Sequence, residues 1–249
     1  MEPGAPKPRR RRISASRKKK AEAQKQTELR FHPRGGARPG AGRPRNRPGR
    51  VPHVARPSHS RHHPLHVTLR LVRGVPNLRG SKVFRAVRAA LGKASDRFGF
   101  RLVHYSVQNN HVHLIAEAAD RRALTRGMQG LSIRLARRVN ASASRSGRVF
   151  AERYHARTLR TPLEVRRALL YVLRNERRHL AESGLSLPPW QFDACSSAAT
   201  FDGFLPLPEL GIPPPEGLVV TVVPVCFLLR RGWRRHGLIA LDEVPRGSR

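Results

Sequence analysis

The sequence has few of the features that mark secreted, membrane or zinc-finger proteins. It contains two cysteines, Cys195 and Cys226, which are too few for a disulfide framework or a four-thiolate zinc site. Its longest apolar run, residues 218–229, is interrupted by Pro224 and is shorter than the roughly 18–20 residues that a membrane span needs. The basic N-terminus has no apolar segment of the kind found in a secretory signal. These absences predict a protein of the reducing cytoplasm that does not bind membranes.

Acidic and aromatic residues are scarce, whereas basic residues are abundant. Fifty Lys and Arg residues against 16 Asp and Glu give a formal net charge of +34, and aromatic residues make up 6% of the chain. The basic excess is present both in residues 1–50 (17 basic, 3 acidic) and in residues 51–249 (33 basic, 13 acidic). A positive charge of this size predicts a polyanionic partner, with nucleic acid as the first candidate.

Composition divides the chain into three parts. Residues 1–60 form a basic arm with almost no apolar side chains to bury, so the sequence predicts that this arm is disordered. Residues 61–183 carry the periodic apolar patterns of a folded domain. Residues 184–249 form a Pro-rich and basic extension with one candidate strand, residues 218–228. A disordered arm can still neutralise phosphates without reading a base sequence.

The apolar periodicity of the folded domain predicts strands and helices in the order β-α-β-β-α-β, followed by one more helix. The predicted elements are a strand over 65–71, a helix over 81–98, strands over 100–107 and 112–116 joined at Asn109-Asn110, a helix capped by Asp120, a strand over 148–159, and a helix that begins at Pro162. This order is typical of an α+β protein with the ferredoxin-like split βαβ fold, a four-stranded antiparallel sheet with helices on one face. The last helix is an addition to that fold.

The most distinctive short motif is His111-Val112-His113 on the third predicted strand. Residues i and i+2 of a strand project from the same face, so the two imidazoles would lie side by side. Two such imidazoles are a ready pair of ligands for a divalent metal. The alternative is that a His-x-His pair occurs by chance in a chain with 12 histidines.

The last predicted helix carries Tyr171, one of only three tyrosines in the chain. On a continuous helix Tyr171 and Asn175 are i and i+4, so they would share a face. A phenol can act as a nucleophile that forms a covalent intermediate, and an amide oxygen can complete the coordination of a metal. The alternative is that Tyr171 packs in the core, because it follows the apolar pair Leu169-Leu170.

A His-x-His strand followed about 60 residues later by a helical tyrosine, across a ferredoxin-like sheet, resembles the single-tyrosine HUH transposases. The resemblance is closest to their REP-associated, IS200-like branch. It runs from Pro64 to His179 and depends on the strings 110–114 (NHVHL), 150–155 (FAERYH) and 171–175 (YVLRN), with flanking strings 38–44 (RPGAGRP) and 232–237 (GWRRHG).

The resemblance implies a metal-dependent enzyme that nicks and rejoins single-stranded DNA next to hairpins through a 5′-phosphotyrosine. In this family the two histidines and a side chain of the tyrosine helix hold Mg²⁺ or Mn²⁺. Carried over, that makes His111, His113 and Asn175 the metal ligands and Tyr171 the nucleophile, with no small-molecule cofactor. One departure is Glu176, which stands where relatives often have proline and predicts a shifted helix end. The resemblance also implies a bacterial, nucleoid-associated protein.

Arginines surround the predicted site in sequence, with few acids to pair with them. We expect a phosphate track formed by six of them: Arg153, Arg157 and Arg160 around the fourth strand, and Arg167, Arg174 and Arg178 on the tyrosine helix.

Two other functions fit the same patterns. A domesticated hairpin-binding protein would keep the fold and the charge but not the turnover, although the intact His111, His113 and Tyr171 argue against it. An RNA-binding protein on an RRM-like sheet needs aromatic residues on the central strands, where this chain has the two histidines instead. The sequence gives no preference between a monomer and a dimer.

Overall fold

The computed structural model describes residues 57–93, 96–188, 190–205 and 220–245. Most of the predicted N-terminal arm, residues 1–56, lies outside the described residues. The division of the chain into arm, catalytic domain and extension therefore stays a prediction.

Five strands form one antiparallel sheet in the order β2-β3-β4-β1-β5. The strands are β1 (Leu65–Arg70), β2 (Asp96–Arg97), β3 (Phe100–Val107), β4 (His111–Ala118) and β5 (His155–Thr158). Without β2, the order β3-β4-β1-β5 is that of the ferredoxin-like split βαβ fold, which confirms the predicted fold class. Two details differ from the prediction: β2 adds a fifth strand at one edge, and β5 covers only the last part of the predicted strand 148–159.

Two helices cover one face of this sheet. Helix α1 (Ser81–Gly92) begins after Gly80 and ends earlier than predicted, because the chain turns back at Asp96 to form β2. Helix α2 (Arg121–Ser142) has the predicted cap, since Asp120 Oδ1 accepts a hydrogen bond of 2.7 Å from the amide of Ala123. The apolar stripes of α1 and α2 and the inward side chains of the strands form the first core, which includes Val87, Leu114, Leu131 and Leu135.

The added helix, α3 (Pro162–Leu173), covers the opposite face. Thr161 and Glu164 form a reciprocal capping box at its start, and Pro162 occupies the first turn. Its apolar residues pack on Ile115 of β4, whose neighbour Leu114 belongs to the first core. Since successive strand residues point to opposite faces, the two cores lie on the two sides of the sheet.

The described part of the C-terminal extension packs on α3 within the same folded unit. Helices α4 (Asn175–Glu182) and α5 (Phe227–Arg230) and the 3-10 turns Ala198–Thr200 and Gly232–His236 follow α3. Trp233 is 1% exposed and lies in the second core. Residues 220–226 form no strand, so the candidate strand 218–228 was wrong in its described part, where the Glu117 carboxylate accepts the amides of Val225 and Cys226 instead. In the described ranges, no helix combines the length and the apolar character needed to cross a bilayer.

Candidate active site

Strand β4 places His111 and His113 on the face of the sheet that α3 covers. Their ring centroids are 4.6 Å apart, and the rings meet edge to face. His113 is 5% exposed, whereas His111 is half-buried at the start of the strand. The i and i+2 spacing of the motif therefore produces two adjacent imidazoles, as the alternation of a strand requires.

Helix α3 brings Tyr171 to this pair. The ring of Tyr171 lies 5.0 Å from the ring of His113, centroid to centroid, in an edge-to-face contact. Leu169, Val172 and Leu173 are buried beneath the helix and fix its position on the sheet. Tyr171 itself is only partly buried. The side chain that packs beside the second core is thus also the one that reaches the histidine pair.

Strand β1 contributes two residues that the sequence patterns did not single out, His66 and Thr68. β1 pairs with β4 so that Thr68 lies opposite His113. The Nδ1 atom of His113 is 3.2 Å from His66 Nε2 and 3.2 Å from Thr68 Oγ1. The ring of His66 also lies 5.7 Å from that of Tyr171. The alternation of β1 carried a signal for both, because His66 and Thr68 alternate with the core residues Leu65 and Val67.

Helix α4 contributes a further imidazole that the sequence analysis missed, that of His179. Burial is the main cause of the lowered pKa of His111 and His113, and an electrostatic interaction with His179 adds to it, so His179 lies within reach of the pair. His179 is two helical turns beyond Tyr171 in sequence, and no spacing rule connects it to the His-x-His motif.

The side chains of His66, His111 and His113 are in their neutral form near pH 7. Burial lowers the pKa of His113 to about 2, with smaller contributions from the facing imidazoles of His66 and His111. Burial also lowers the pKa of His111 and the pKa of His66 to about 4. A neutral imidazole keeps the nitrogen lone pair that metal coordination needs.

The surroundings of the two histidines of the motif leave the Nε2 atom of each without a hydrogen-bond partner in the described residues. His111 Nδ1 lies 2.8 Å from Asn110 Oδ1, which can only accept, so Nδ1 carries the proton and Nε2 has the lone pair. His113 Nε2 is buried and has no hydrogen-bond partner among the described residues. The buried Nε2 of His113 has no partner, and the Nε2 of His111 next to it carries a lone pair. Two such nitrogen atoms are suited to bind a divalent cation. In the described part of the chain, no three His, Cys, Asp or Glu side chains converge as metal ligands.

Asn175 does not continue the helix of Tyr171. The backbone of Arg174 (φ −119°, ψ 18°) separates α3 from α4, so the expected i and i+4 relation on one helix does not hold. The Asn175 amide is 1% exposed, and neither Oδ1 nor Nδ2 has a hydrogen-bond partner within the described ranges. An amide without partners can serve as a ligand, and the role of Asn175 stays a prediction.

Glu176 has a structural partner at the start of α4. Its carboxylate is 2.6 Å from Arg79 Nη2, and the same guanidinium makes two bonds of 2.9 Å to Asp193. This ion-pair network ties the loop after β1, the first turn of α4 and the extension together. It accounts for an acidic residue at the position where the resemblance leads one to expect proline.

The predicted phosphate track is partly at the surface. Four of its members are exposed: Arg153, Arg157, Arg160 and Arg167. Arg157 also lies 3.1 Å from Glu164. Arg178 is half-buried, pairs with Glu182 at 2.9 Å, and places its guanidinium carbon 5.8 Å from the centre of the Tyr171 ring.

The burial of Arg174 contradicts the prediction that this side chain contacts DNA. It is 2% exposed, and its guanidinium lies over the ring of Phe204 at 5.4 Å and near Phe192 at 6.0 Å. Burial lowers its pKa to about 10. The spacing of a helix cannot reveal this environment, because both aromatic rings come from the extension.

Residues 62–174 match the family model of the IS200-like transposases. The match spans β1 to α3 and contains His111, His113 and Tyr171, which confirms the predicted resemblance for this part of the chain. A solved structure of a REP-associated tyrosine transposase bound to a REP hairpin is also similar, with 13% identity, a TM-score of 0.44, and coverage of 59% of this chain and 82% of that one. Among the curated proteins, no sequence matches this chain.

Proposed function

We propose that this chain, whose residues 62–174 match the IS200-like transposase family, is a metal-dependent transposase that nicks and rejoins single-stranded DNA next to hairpins. The observation that supports the proposal best is the contact between the Tyr171 ring and His113, beside His111. A nucleophile next to two neutral imidazoles with free ring nitrogens is the arrangement that metal-assisted phosphoryl transfer needs.

The metal would be Mg²⁺ or Mn²⁺, held by His111, His113 and the Asn175 amide. When bound, such a cation supplies Lewis acidity to a non-bridging oxygen of the scissile phosphate. Two imidazoles and one amide leave coordination positions open for phosphate oxygens and water, which is what a catalytic rather than a structural site requires. The buried and unpartnered Nε2 of His113 supports this assignment.

Tyr171 would carry the covalent step. Its Oη attacks the scissile phosphorus, the bond from phosphorus to the 3′-oxygen breaks, the phenol loses its proton, and the departing 3′-oxygen gains one. The products are a 5′-phosphotyrosine and a free 3′-hydroxyl. A 3′-hydroxyl of the same or another strand can then attack the phosphotyrosine, which restores the phenol and rejoins DNA. One phosphodiester replaces another, so no external energy source is needed.

The exposed arginines would hold the DNA backbone at this site. Arg178 lies next to the Tyr171 ring, where it can contact the phosphate that reaches the phenol. Arg153, Arg157, Arg160 and Arg167 are exposed on β5, its flanks and α3, and phosphate contacts from such side chains position a strand without reading its bases.

The proposal is tested with hairpin-bearing oligonucleotides that carry a single-stranded flank. Full-length protein is incubated with 5′- and 3′-labelled DNA and either Mg²⁺, Mn²⁺ or EDTA, and covalent complexes are separated under denaturing conditions. We expect an adduct that retains the 3′-labelled fragment, a free 3′-hydroxyl on the other fragment, and neither product with EDTA. Hairpin binding without an adduct in either metal would instead identify a catalytically idle DNA-binding protein.

A further inference from the structure

We infer that His66 is a positioning residue for this site, which fixes the tautomer of His113 and holds that ring beside Tyr171. The inference depends on the proposed function, because it assigns His113 the role of a metal ligand. His66 belongs neither to the His-x-His motif nor to the tyrosine helix. It lies on β1, the strand between β4 and β5.

The two ends of the His113 ring have different surroundings. At Nδ1, His66 Nε2 and Thr68 Oγ1 each lie 3.2 Å away. At Nε2, the described residues offer no hydrogen-bond partner, and the atom is buried. The ring is thus anchored through Nδ1, and Nε2 is the atom that is free to bind a ligand.

A metal-binding histidine needs a lone pair on one ring nitrogen and usually donates a hydrogen bond from the other. For His113 this means that Nδ1 carries the proton, although free neutral histidine prefers the proton on Nε2. His66 in its Nδ1–H form has a lone pair on Nε2, and Thr68 Oγ1 can also accept. A proton on Nδ1 can be shared between these two acceptors, and this arrangement leaves Nε2 free.

His66 also connects the ligand with the nucleophile. Its ring lies 5.2 Å from that of His113 and 5.7 Å from that of Tyr171. His66 is the only residue of β1 with a ring, and it makes both contacts. A change at His66 therefore alters the orientation of His113 and the packing of Tyr171 together, while it removes neither of them.

The test compares two substitutions of His66 that have similar polarity and different reach, with one further His66 substitution and one control at another histidine. In His66→Gln the side-chain amide reaches the position of Nε2 and can accept from His113. In His66→Asn the amide ends near the position of Nδ1 and falls short. His66→Phe keeps the ring shape without any acceptor, and His104→Gln changes another buried histidine, which bonds Ser197 rather than the site.

The first measurement is the tautomer of His113 in full-length, metal-free protein without DNA, read from long-range ¹H–¹⁵N NMR spectra. We expect the Nδ1–H form in wild type, His66→Gln and His104→Gln, and a shift towards the Nε2–H form in His66→Asn and His66→Phe. The second measurement is the affinity for Mn²⁺ alone, by calorimetry. Loss of a partner of a metal ligand typically weakens metal binding about 10- to 100-fold, which we expect for Asn and Phe but not for Gln.

Two results would overturn the inference. One is a wild-type His113 with its proton on Nε2, and the other is equal Mn²⁺ affinity in His66→Gln and His66→Asn. Circular dichroism and thermal unfolding establish that the variants are folded, and the Gln and Asn pair decides the matter if His66→Phe does not fold. Neither measurement involves DNA, so a wild-type protein that forms no adduct would refute the proposed function and leave the tautomer result standing.

Discussion

The two faces of the sheet use the same strands for different purposes. On β4, Val112, Leu114 and Ala116 point towards α1 and α2 and lie in a core made of apolar side chains. The residues between them point towards α3, and there His111, His113 and Glu117 share the face with a single apolar residue, Ile115. On β4, one face therefore supplies only apolar side chains to its core, whereas the other face also buries polar groups that need partners.

The face of the sheet covered by α3, here called the polar face, has two ends. They differ in whether the buried polar groups have hydrogen-bond partners. At one end the Glu117 carboxylate accepts the amides of Val225 and Cys226 at 3.0 and 2.9 Å. At the other end His113 Nε2 is buried without a partner in the described part of the chain. Buried polar atoms without partners are costly, so the His113 end of this face is the end where the proposed metal site would supply a partner.

The largest expected effect belongs to the nucleophile. Tyr171→Phe should abolish the covalent adduct, because the phenol oxygen is the atom that bonds to phosphorus, while hairpin affinity changes by no more than a few-fold, since phosphates dominate such binding. The matched control is Tyr105→Phe, which removes a hydroxyl from the first core on the other face and should leave adduct formation intact. An adduct in Tyr171→Phe would assign the nucleophile to another residue.

The next effect separates the metal site from the rest of the polar face. His111→Ala and His113→Ala should each weaken Mn²⁺ binding by more than about 100-fold, because changes in the partners of metal ligands already cost about 10- to 100-fold. Calorimetry without DNA measures this directly, and His62→Ala, an exposed histidine before β1, serves as the control. Unchanged affinity in either site variant would remove that histidine from the site.

Much of the difference between the two faces of the sheet could be predicted from the sequence, because strand alternation and helical spacing are local properties. The caps Asp120 and Thr161, the hairpin at Asn109-Asn110 and the shared face of His111 and His113 all follow from residues within a few positions of each other. Such rules also predicted the ferredoxin-like order of elements.

What the sequence did not reveal depends on contacts between distant segments. His66 joins the site through a strand pairing across 47 residues, and the alternation of β1 indicates only which face His66 occupies, not that it meets His113. Arg174 was placed on a DNA surface because helical periodicity cannot anticipate that Phe192 and Phe204 return to cover it. The break between α3 and α4 likewise lies next to an ion-pair network that involves Arg79 and the extension.

A cavity in the first core should affect stability and leave the site intact. Leu135→Ala removes a side chain that is 1% exposed between α2 and the sheet, and such truncations cost about 2–5 kcal/mol of unfolding free energy. Denaturant titration measures the loss, with the exposed Leu185→Ala as control. Mn²⁺ affinity of the folded variant should equal that of wild type, and a parallel loss of affinity would mean that the two faces are not independent.

Each core also holds one cysteine, which allows the two faces to be compared in one experiment. Cys195 lies in the first core and Cys226 in the second, and burial raises the pKa of the two thiols to about 11 and about 12. Because the thiolate is the reactive species, both should resist alkylation at pH 8 in the native protein. Mass spectrometry of alkylated peptides then reports which core a substitution opens.

Loss of the Glu117 carboxylate should open the second core alone. Glu117→Ala leaves the amides of Val225 and Cys226 without their acceptor, and hydrogen bonds to charged groups contribute about 1.5–3 kcal/mol each. We expect faster alkylation of Cys226 with Cys195 still protected. The control is Glu182→Ala, which removes a solvent-exposed helix pair with Arg178 that contributes little to stability. Equal alkylation of both cysteines in Glu117→Ala would indicate global unfolding instead.

The smallest expected effect is on discrimination between DNAs when the basic N-terminal residues are removed. Residues 1–50 contain 17 basic and 3 acidic side chains. Each phosphate they contact on a single strand adds about 0.7 to the slope of log K against log[salt], so their deletion should weaken binding to every DNA and flatten that slope.

Discrimination should survive the deletion, because base reading needs positioned groups and the positioned groups lie on the folded sheet and helices. The comparison is between the full chain and a variant that starts at Arg50, titrated with salt on a hairpin DNA and on a scrambled strand of equal length. Equal slopes for the two proteins would mean that residues 1–49 do not touch the backbone. A loss of preference for the hairpin would mean that they read the DNA themselves, as basic arms can in a minor groove, and specificity would then no longer reside in the folded sheet and helices alone.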